Sequence, residues 1–447
     1  MPRDLGGYLI HFDEPQRTEF LRDIRSLDEG FSDALSSADW AVRQWEVCGL
    51  MFESGRITHW ALARRGKKVA TGKVRVEFTE MTPAGLSFSA IEGRVGKRMR
   101  ANVVRARSGV GGRVPPVTWR DMKLAVGEMD SNSLAALERL ERLRDQSREL
   151  IVRPGSETVA LERDAVGLAL DAFDESGQLR RHTLRGWTAP EAGDLTSFLD
   201  GLGGVHTIED QLVARDAAVF PDVAHVRHTV TGAVFSLGAR KLEVFNVNRT
   251  AIETSLGVDL LYWNEAFNAW TLTQYKSMER GRSGKGEIAV YRPDAGFVDE
   301  LARMQRFRLP YPDTSRTADG GAAYRLNGDG FFFKLCARVQ LEVLSESLLP
   351  GMYLPREYVE TLLVDSTTAG PRGGRSLTFE NTQRHISNTL FAELVRDGWV
   401  GTRGESSSRI AEIVRASLKA GRAVVLARSR PSGAPANPDE TLAAVDI

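Results

Sequence analysis

Asp259, Gln274 and Lys276 are the residues whose types and spacing point to chemistry. They stand on two runs rich in apolar, aromatic and β-branched residues, Gly257-Val258-Asp259-Leu260-Leu261-Tyr262-Trp263 and Trp270-Thr271-Leu272-Thr273-Gln274-Tyr275-Lys276. Residues 264–269 between them are polar in their first half and again at Asn268. This pattern predicts two strands joined by a short loop. A loop centred on Ala266-Phe267 makes paired positions sum to about 533. Asp259 then lies opposite Gln274, one pleat from Lys276. Gln274 and Lys276 are two apart and point to the same face of their strand. Three polar groups converge on a hairpin otherwise built for burial, where an unpaired charge costs several kcal/mol.

Two chemistries account for such a cluster. One is a structural Asp–Lys pair at a strand end, with Gln274 as a spectator. The other is a divalent-metal site for phosphodiester cleavage. A carboxylate and an amide carbonyl are hard oxygen ligands suited to Mg²⁺, with Mn²⁺ as a substitute. Such a metal activates water and clamps a phosphate oxygen. A nearby ammonium orients that water and offsets charge in the transition state.

Gly257-Val258-Asp259, a short loop and then Gln274-Tyr275-Lys276 resemble the core of the PD-(D/E)XK restriction-endonuclease superfamily, over roughly residues 200–290. The Gln is similar to the Mrr-like branch, where Gln stands for the usual acidic residue before x-Lys. The resemblance implies an α/β class (α+β, multidomain) with a central mixed sheet flanked by helices. It implies that Asp259 binds the metal, that Gln274 takes the (D/E) position and that Lys276 is the catalytic lysine. The backbone carbonyl of Tyr275 would be a further ligand. Two departures stand out: no Pro precedes Asp259, and Gln is a neutral, weaker ligand than Glu.

In that superfamily a helix ahead of the hairpin often carries an acid pointing into the site. Here Thr207 caps a predicted helix over residues 207–216, and Glu209 is its candidate. Glu209 and Asp210 equally suit a positive helix N-terminus with no further role. Glu253, six residues before Asp259, is the other candidate for completing the metal shell, or a loop acid paired with Arg249. The resemblance implies Mg²⁺-dependent endonuclease cleavage of DNA, RNA not being excluded, in restriction or anti-phage defence. Cutting both strands usually needs two sites, which suggests a homodimer or a defence-system partner protein. The alternative is a catalytically silent nucleic-acid-binding or sensor subunit of such a complex.

At 447 residues, with 42% hydrophobic and 26% charged residues, the chain reads as an ordinary soluble protein of two or three domains. No apolar run approaches the roughly 20 residues that cross a bilayer. The start, Met1-Pro2-Arg3-Asp4, carries no apolar signal segment, so a cytoplasmic location is expected. Cys48 and Cys336 match no metal spacing and read as free thiols. Net charge is zero, yet residues 60–120 hold 14 Lys or Arg against three acids, a local excess of 11. Such a patch favours polyanions, with Arg64, Arg65, Lys67, Lys68, Lys97, Arg98 and Arg100 as candidate contacts; a solvated basic face is the plainer account. A second basic stretch, residues 277–286, follows Lys276 directly. Its Arg280, Arg282 and Lys285 either hold a phosphate backbone or decorate a solvated hairpin tip.

The elements that must position these residues follow from periodicity and breakers. Residues 1–125 read as a β-rich basic domain. It includes a helix over 14–27, a hairpin turning at Arg65-Gly66-Lys67, a strand over 86–91 and a loop over 103–113. Residues 126–155 read as a helical linker, its main helix covering 131–151. Residues 156–292 read as the nuclease core, with a helix over 157–173, a connection over 180–187 and strands over 230–235 and 241–247. Residues 293–428 read as mainly helical, with helices over 294–307, 339–348, 382–397 and 407–420 and strands over 330–336 and 423–428. The tail 429–447 reads as disordered.

Overall fold

The computed structural model describes residues 5–12, 31–36, 44–70, 72–109, 111–191, 193–202, 230–237, 240–247, 258–283, 286–306, 321–327, 329–370, 373–404, 407–408, 410–412 and 425–430. The helices expected over 14–27 and 207–216, most of that over 407–420, and the tail beyond Arg430 lie outside these residues. The chain divides into two units, Met1–Val152 and Arg153–Ile447.

In the first unit, β1 (Gly7–His11), β2 (Phe31–Ser36), β3 (Glu46–Met51), β4 (Arg56–Ala70), β5 (Lys73–Ser87) and β6 (Gly111–Val114) form one sheet. Its order is β2-β5-β4-β3-β1-β6. β1 and β3 pair in parallel and the other neighbours antiparallel. The period of two is visible in β5, where Val74, Val76 and Phe78 are buried while Lys73 and Arg75 are exposed. The turn expected at Arg65-Gly66-Lys67 is not there. Strand β4 runs through Gly66, and the chain reverses between Ala70 and Lys73, with Gly72 at φ +72°. Register shifts along this long hairpin mark bulges that absorb the irregular pattern.

The helices of this unit are α1 (Phe88–Arg94), α2 (Lys97–Arg107), α3 (Pro116–Met129) and α4 (Ser131–Val152). The strand expected over 86–91 therefore ends at Ser87, and the loop expected over 103–113 is the end of α2 followed by β6. Val103 and Ala106 are buried at helical spacing between solvent-facing arginines, and arginine is itself a good helix former. The unit is thus mixed rather than simply β-rich. Helix α4 buries Leu137, Leu140 and Leu150 and ends before Pro154-Gly155. Gly155 sits at φ +84°, and a Cβ there would meet the Leu195 carbonyl oxygen at 1.9 Å, so glycine is required.

In the second unit come α5 (Ser156–Phe173), α6 (Gln178–Arg185), β7 (Val230–Leu237), β8 (Arg240–Val247), β9 (Leu260–Asn264), β10 (Ala269–Ser277), β11 (Glu279–Ser283) and β12 (Gly286–Tyr291). After these follow α7 (Ala295–Arg306), β13 (Phe331–Cys336), β14 (Gly351–Pro355), α8 (Arg356–Val364), β15 (Leu377–Thr378), α9 (Asn388–Arg396) and β16 (Val425–Arg430). A mixed seven-stranded sheet runs β14-β13-β10-β9-β16-β8-β7, and β11-β12-β15 form a small second sheet. β13 is parallel to β10, and β16 is parallel to β9. The region 293–428, expected to be mainly helical, therefore supplies three strands of the large sheet.

Helices cover both faces of that sheet. On one, Leu261, Leu272, Phe333, Leu335, Met352 and Leu354 form a core with Phe297, Leu301 and Met304 of α7 and Val359 and Leu362 of α8. On the other, Phe391 of α9 stacks on Tyr353 with ring centroids 4.0 Å apart, and Asp164 of α5 meets Lys334 of β13.

Three local expectations are corrected here. The connection expected over 180–187 is mostly helix α6: Asp174 ends α5 and accepts from the N–H groups of Ser176 (3.0 Å) and Leu179 (2.8 Å), so the chain restarts at once as a helix. The helix expected over 339–348 is irregular, because its carbonyls serve arginines instead of one another: Arg163 donates to Ser345 and Ser347, and Arg180 to Glu346. The helix expected from 382 begins only at Asn388, since Ile386 exchanges backbone bonds with Tyr353, both at 3.0 Å. The Ser387 hydroxyl then caps it by accepting from Leu390 N–H at 3.3 Å.

Cys48 and Cys336 are both fully buried. Burial pushes both thiols up, Cys336 to about 12 even with Lys334 nearby. Since the thiolate is the reactive form, neither cysteine is expected to react with a chromogenic aryl disulfide at pH 8 in the native protein. Both should titrate after denaturation in urea, and counting released thiols in the two states checks this.

Candidate functional site

β9 and β10 pair antiparallel from Leu260 with Thr273 to Asn264 with Ala269. Each pair sums to 533, the register expected from the loop. The connection is a 3₁₀ turn over Glu265–Phe267, closed by Asn268 at φ +45° and ψ +47°. Asparagine tolerates that left-handed conformation. The ladder ends there, and Asp259 falls out of register, sharing the Thr273 position with Leu260 as in a bulge. The Asp259 N–H donates to the Thr273 carbonyl at 2.9 Å, and Asp259 Oδ2 accepts from the Tyr275 N–H at 2.7 Å.

Leu261 faces Leu272 across this pair, and Trp263 stacks on Trp270 at 5.2 Å with planes 3° apart. By the period of two, Gln274 and Lys276 share the same sheet face as these side chains; Val258 and Leu261 both join the core on that face, so the alternation does not carry Asp259 there. On the far side of β10, the N–H groups of Leu272 and Met278 donate to the Gly330 and Cys336 carbonyls, each at 2.8 Å. Even-numbered residues thus turn their backbone groups toward β13 and odd-numbered ones toward β9. The Tyr275 carbonyl accordingly lies on the same side of β10 as Asp259.

Gln274 is 6% exposed, and its Oε1 has no hydrogen-bond partner among the described residues. Such an orphaned acceptor costs about 1–3 kcal/mol unless something satisfies it. Lys276 Nζ lies 2.5 Å from Glu300 Oε2 of α7, with both side chains largely buried. Glu300 is a residue the sequence reading missed. Its signal was an acid at position 300 among Phe297, Leu301 and Met304, that is, on the apolar stripe of a helix.

Glu209 and Glu253 lie outside the described residues. Among the described residues, no group of three or more His, Cys, Asp or Glu side chains is placed to hold a metal ion. The Asp259 carboxylate, bonded to the Tyr275 N–H, and Gln274 Oε1 are hard oxygens of the kind that Mg²⁺ takes.

The opposite face of β10 carries a second polar group. Lys334 is fully buried, donates to Asp164 Oδ2 and lies 4.9 Å from the ring centroid of Tyr353 and 5.6 Å from that of Tyr275. Asp164 Oδ1 also accepts from the Leu349 N–H at 2.5 Å. Burial alone would lower the Lys334 ammonium, but the adjoining Asp164 carboxylate outweighs it and holds the lysine above its ordinary range. Burial also pushes the Tyr275 phenol far up, so it stays neutral.

The basic residues divide by what they touch. Arg64 pairs with Glu77 at 2.8 Å and lies 4.7 Å over the Trp45 ring. Arg100 donates to the carbonyls of Val95 (3.1 Å) and Gly93 (2.8 Å) at the end of α1. Both of these hold parts of the fold together. Arg65 is half-buried, while Lys68, Lys97 and Arg98 are exposed. Lys67 is on β4. Arg280 and Arg282 are exposed on β11, Arg280 lying 3.6 Å from Glu287. Lys285 lies outside the described residues. No described helix is long and apolar enough to cross a membrane.

Comparison with models of known protein families, with curated proteins and with solved structures finds no match to this chain.

Proposed function

We propose that the second unit is a PD-(D/E)XK-like, Mg²⁺-dependent deoxyribonuclease of the Mrr-like kind, acting in restriction or anti-phage defence in the cytoplasm. The observation that carries the reading is Gln274 and Lys276 on one face of a single hairpin, with Gln274 Oε1 buried and unbonded and Asp259 Oδ2 bonded to the Tyr275 N–H between them. A mixed sheet covered by helices on both faces supports it.

A bound divalent cation would supply an activated water and polarise the phosphate. Asp259, Gln274 Oε1 and the Tyr275 carbonyl would hold it, with Glu209 or Glu253 completing the shell. The Lys276 ammonium orients the attacking water and offsets charge on the scissile phosphate. β11 continues from β10 past Lys276, and its Arg280 and Arg282 grip the phosphate backbone there. Exposed Lys68, Lys97 and Arg98 of the first unit add attraction that is independent of sequence. Double-strand cutting would need a second copy of the chain or a partner protein.

A second reading, a silent nucleic-acid-binding or sensor subunit, is favoured by two contacts: Asp259 Oδ2 with the Tyr275 N–H, and Lys276 with Glu300. Cleavage of plasmid, single-stranded DNA and RNA with Mg²⁺ or Mn²⁺ decides between them. Asp259→Asn removes the charge while leaving an oxygen to accept from Tyr275. It is expected to slow cutting by about 10²-fold or more, with melting and DNA retention unchanged. A wild-type protein that binds DNA yet cuts neither modified nor unmodified substrates leaves only the silent reading.

A further inference from the structure

We infer that Glu300 is the second carboxylate of this site, a positioning residue that fixes Lys276 and supplies the negative charge that Gln274 lacks. This rests on the nuclease reading above. Glu300 lies three residues after Phe297 and four before Met304, so it leaves α7 on the face that those two bury. A carboxylate held among apolar side chains needs a partner, and its partner is Lys276 at 2.5 Å. The helix cannot easily slide away from the strand, because Phe297 packs on Phe333 of β13 at 4.9 Å and on Tyr291 at 5.3 Å.

An independent observation lies on the strand itself. Gln274 is two residues from Lys276 on the face that α7 covers. It is more than nine-tenths buried, and its Oε1 has no donor among the described residues. Helix acid, lysine and amide therefore follow one another from α7 along β10. The acid that the strand motif lacks is restored from the crossover helix.

The test is Mn²⁺ titration of the full chain without DNA, read by electron paramagnetic resonance, so that no turnover is needed. Glu300→Gln is expected to weaken Mn²⁺ binding about 10- to 100-fold, with Glu300→Asp recovering part of the loss. Asp259→Asn serves as the reference for a lost ligand. The same Glu300→Gln change in a Lys276→Gln background orphans no ammonium, and it keeps the measurement readable if the single variant unfolds. Wild-type affinity in Glu300→Gln, alongside loss in Asp259→Asn, would overturn the inference and leave the nuclease reading standing. A wild-type chain that takes up no Mn²⁺ would sink both.

Discussion

Lys334→Met is expected to destabilise the protein by about 3–5 kcal/mol, the range for removing one partner of a buried ion pair. The lysine is fully buried and Asp164 is 1% exposed, so no water replaces the lost ammonium. Asp164 would keep only the Leu349 N–H in its place. Methionine nearly matches the lysine stem in volume, so the loss reports the charge rather than a cavity. The check is a urea titration: the midpoint should fall while the slope stays the same. Asp164→Leu combined with Lys334→Met should recover much of the loss, since no charge is then left unpaired.

The same pair fixes a pH dependence. The folded state holds the lysine above its ordinary value. Its contribution is therefore complete below the unfolded value of about 10.4 and is lost only as pH rises through the folded one. The stability difference between wild type and Lys334→Met should thus be flat from pH 6 to 9 and shrink only in strong alkali.

Lys276→Ala is expected to lower metal-dependent DNA cleavage by about 10²–10³-fold, as removal of one charge-stabilising donor does. Lys276 is partly exposed and lies at the end of the buried run of β10, so the fold should survive. Loss of the ammonium leaves Glu300 unpaired at 17% side-chain exposure, a modest penalty visible in a melting curve. DNA retention on a filter should persist, because Arg280, Arg282 and the first unit still offer cations. Cleavage at the wild-type rate by a folded Lys276→Ala protein would remove the lysine from the mechanism. Single-turnover rates separate this from weakened binding.

The hairpin that carries the site was legible because its information is local. Two β-prone runs and a six-residue loop leave few registers, and the pairing of Ala269 with Asn264 is the one that the loop length implies. Helices α4, α5 and α7 were legible for the same reason, each showing apolar spacing closed by turn residues. What lay hidden was non-local. Nothing in Val425–Arg430 announces that it pairs between β8 and β9, because a sequence shows which face a strand buries and not its neighbours. Lys334 within Phe331-Phe332-Phe333 and Asp164 within an apolar helix were each visible oddities, and only the fold reveals that they answer one another. Glycine misled at Gly66, where a bulged strand rather than a turn uses it, and arginine-rich composition disguised α2.

The place of β16 bears on how the molecule is made. Until residues 425–430 emerge during synthesis, β9 lacks its parallel neighbour and β8 its antiparallel one, so the nascent sheet carries two open edges in its middle. Open edges invite pairing with other chains, and chains fold from their N-terminal parts as they grow. The hairpin of β9 and β10 would therefore stay half-framed until residues 425–430 have left the ribosome.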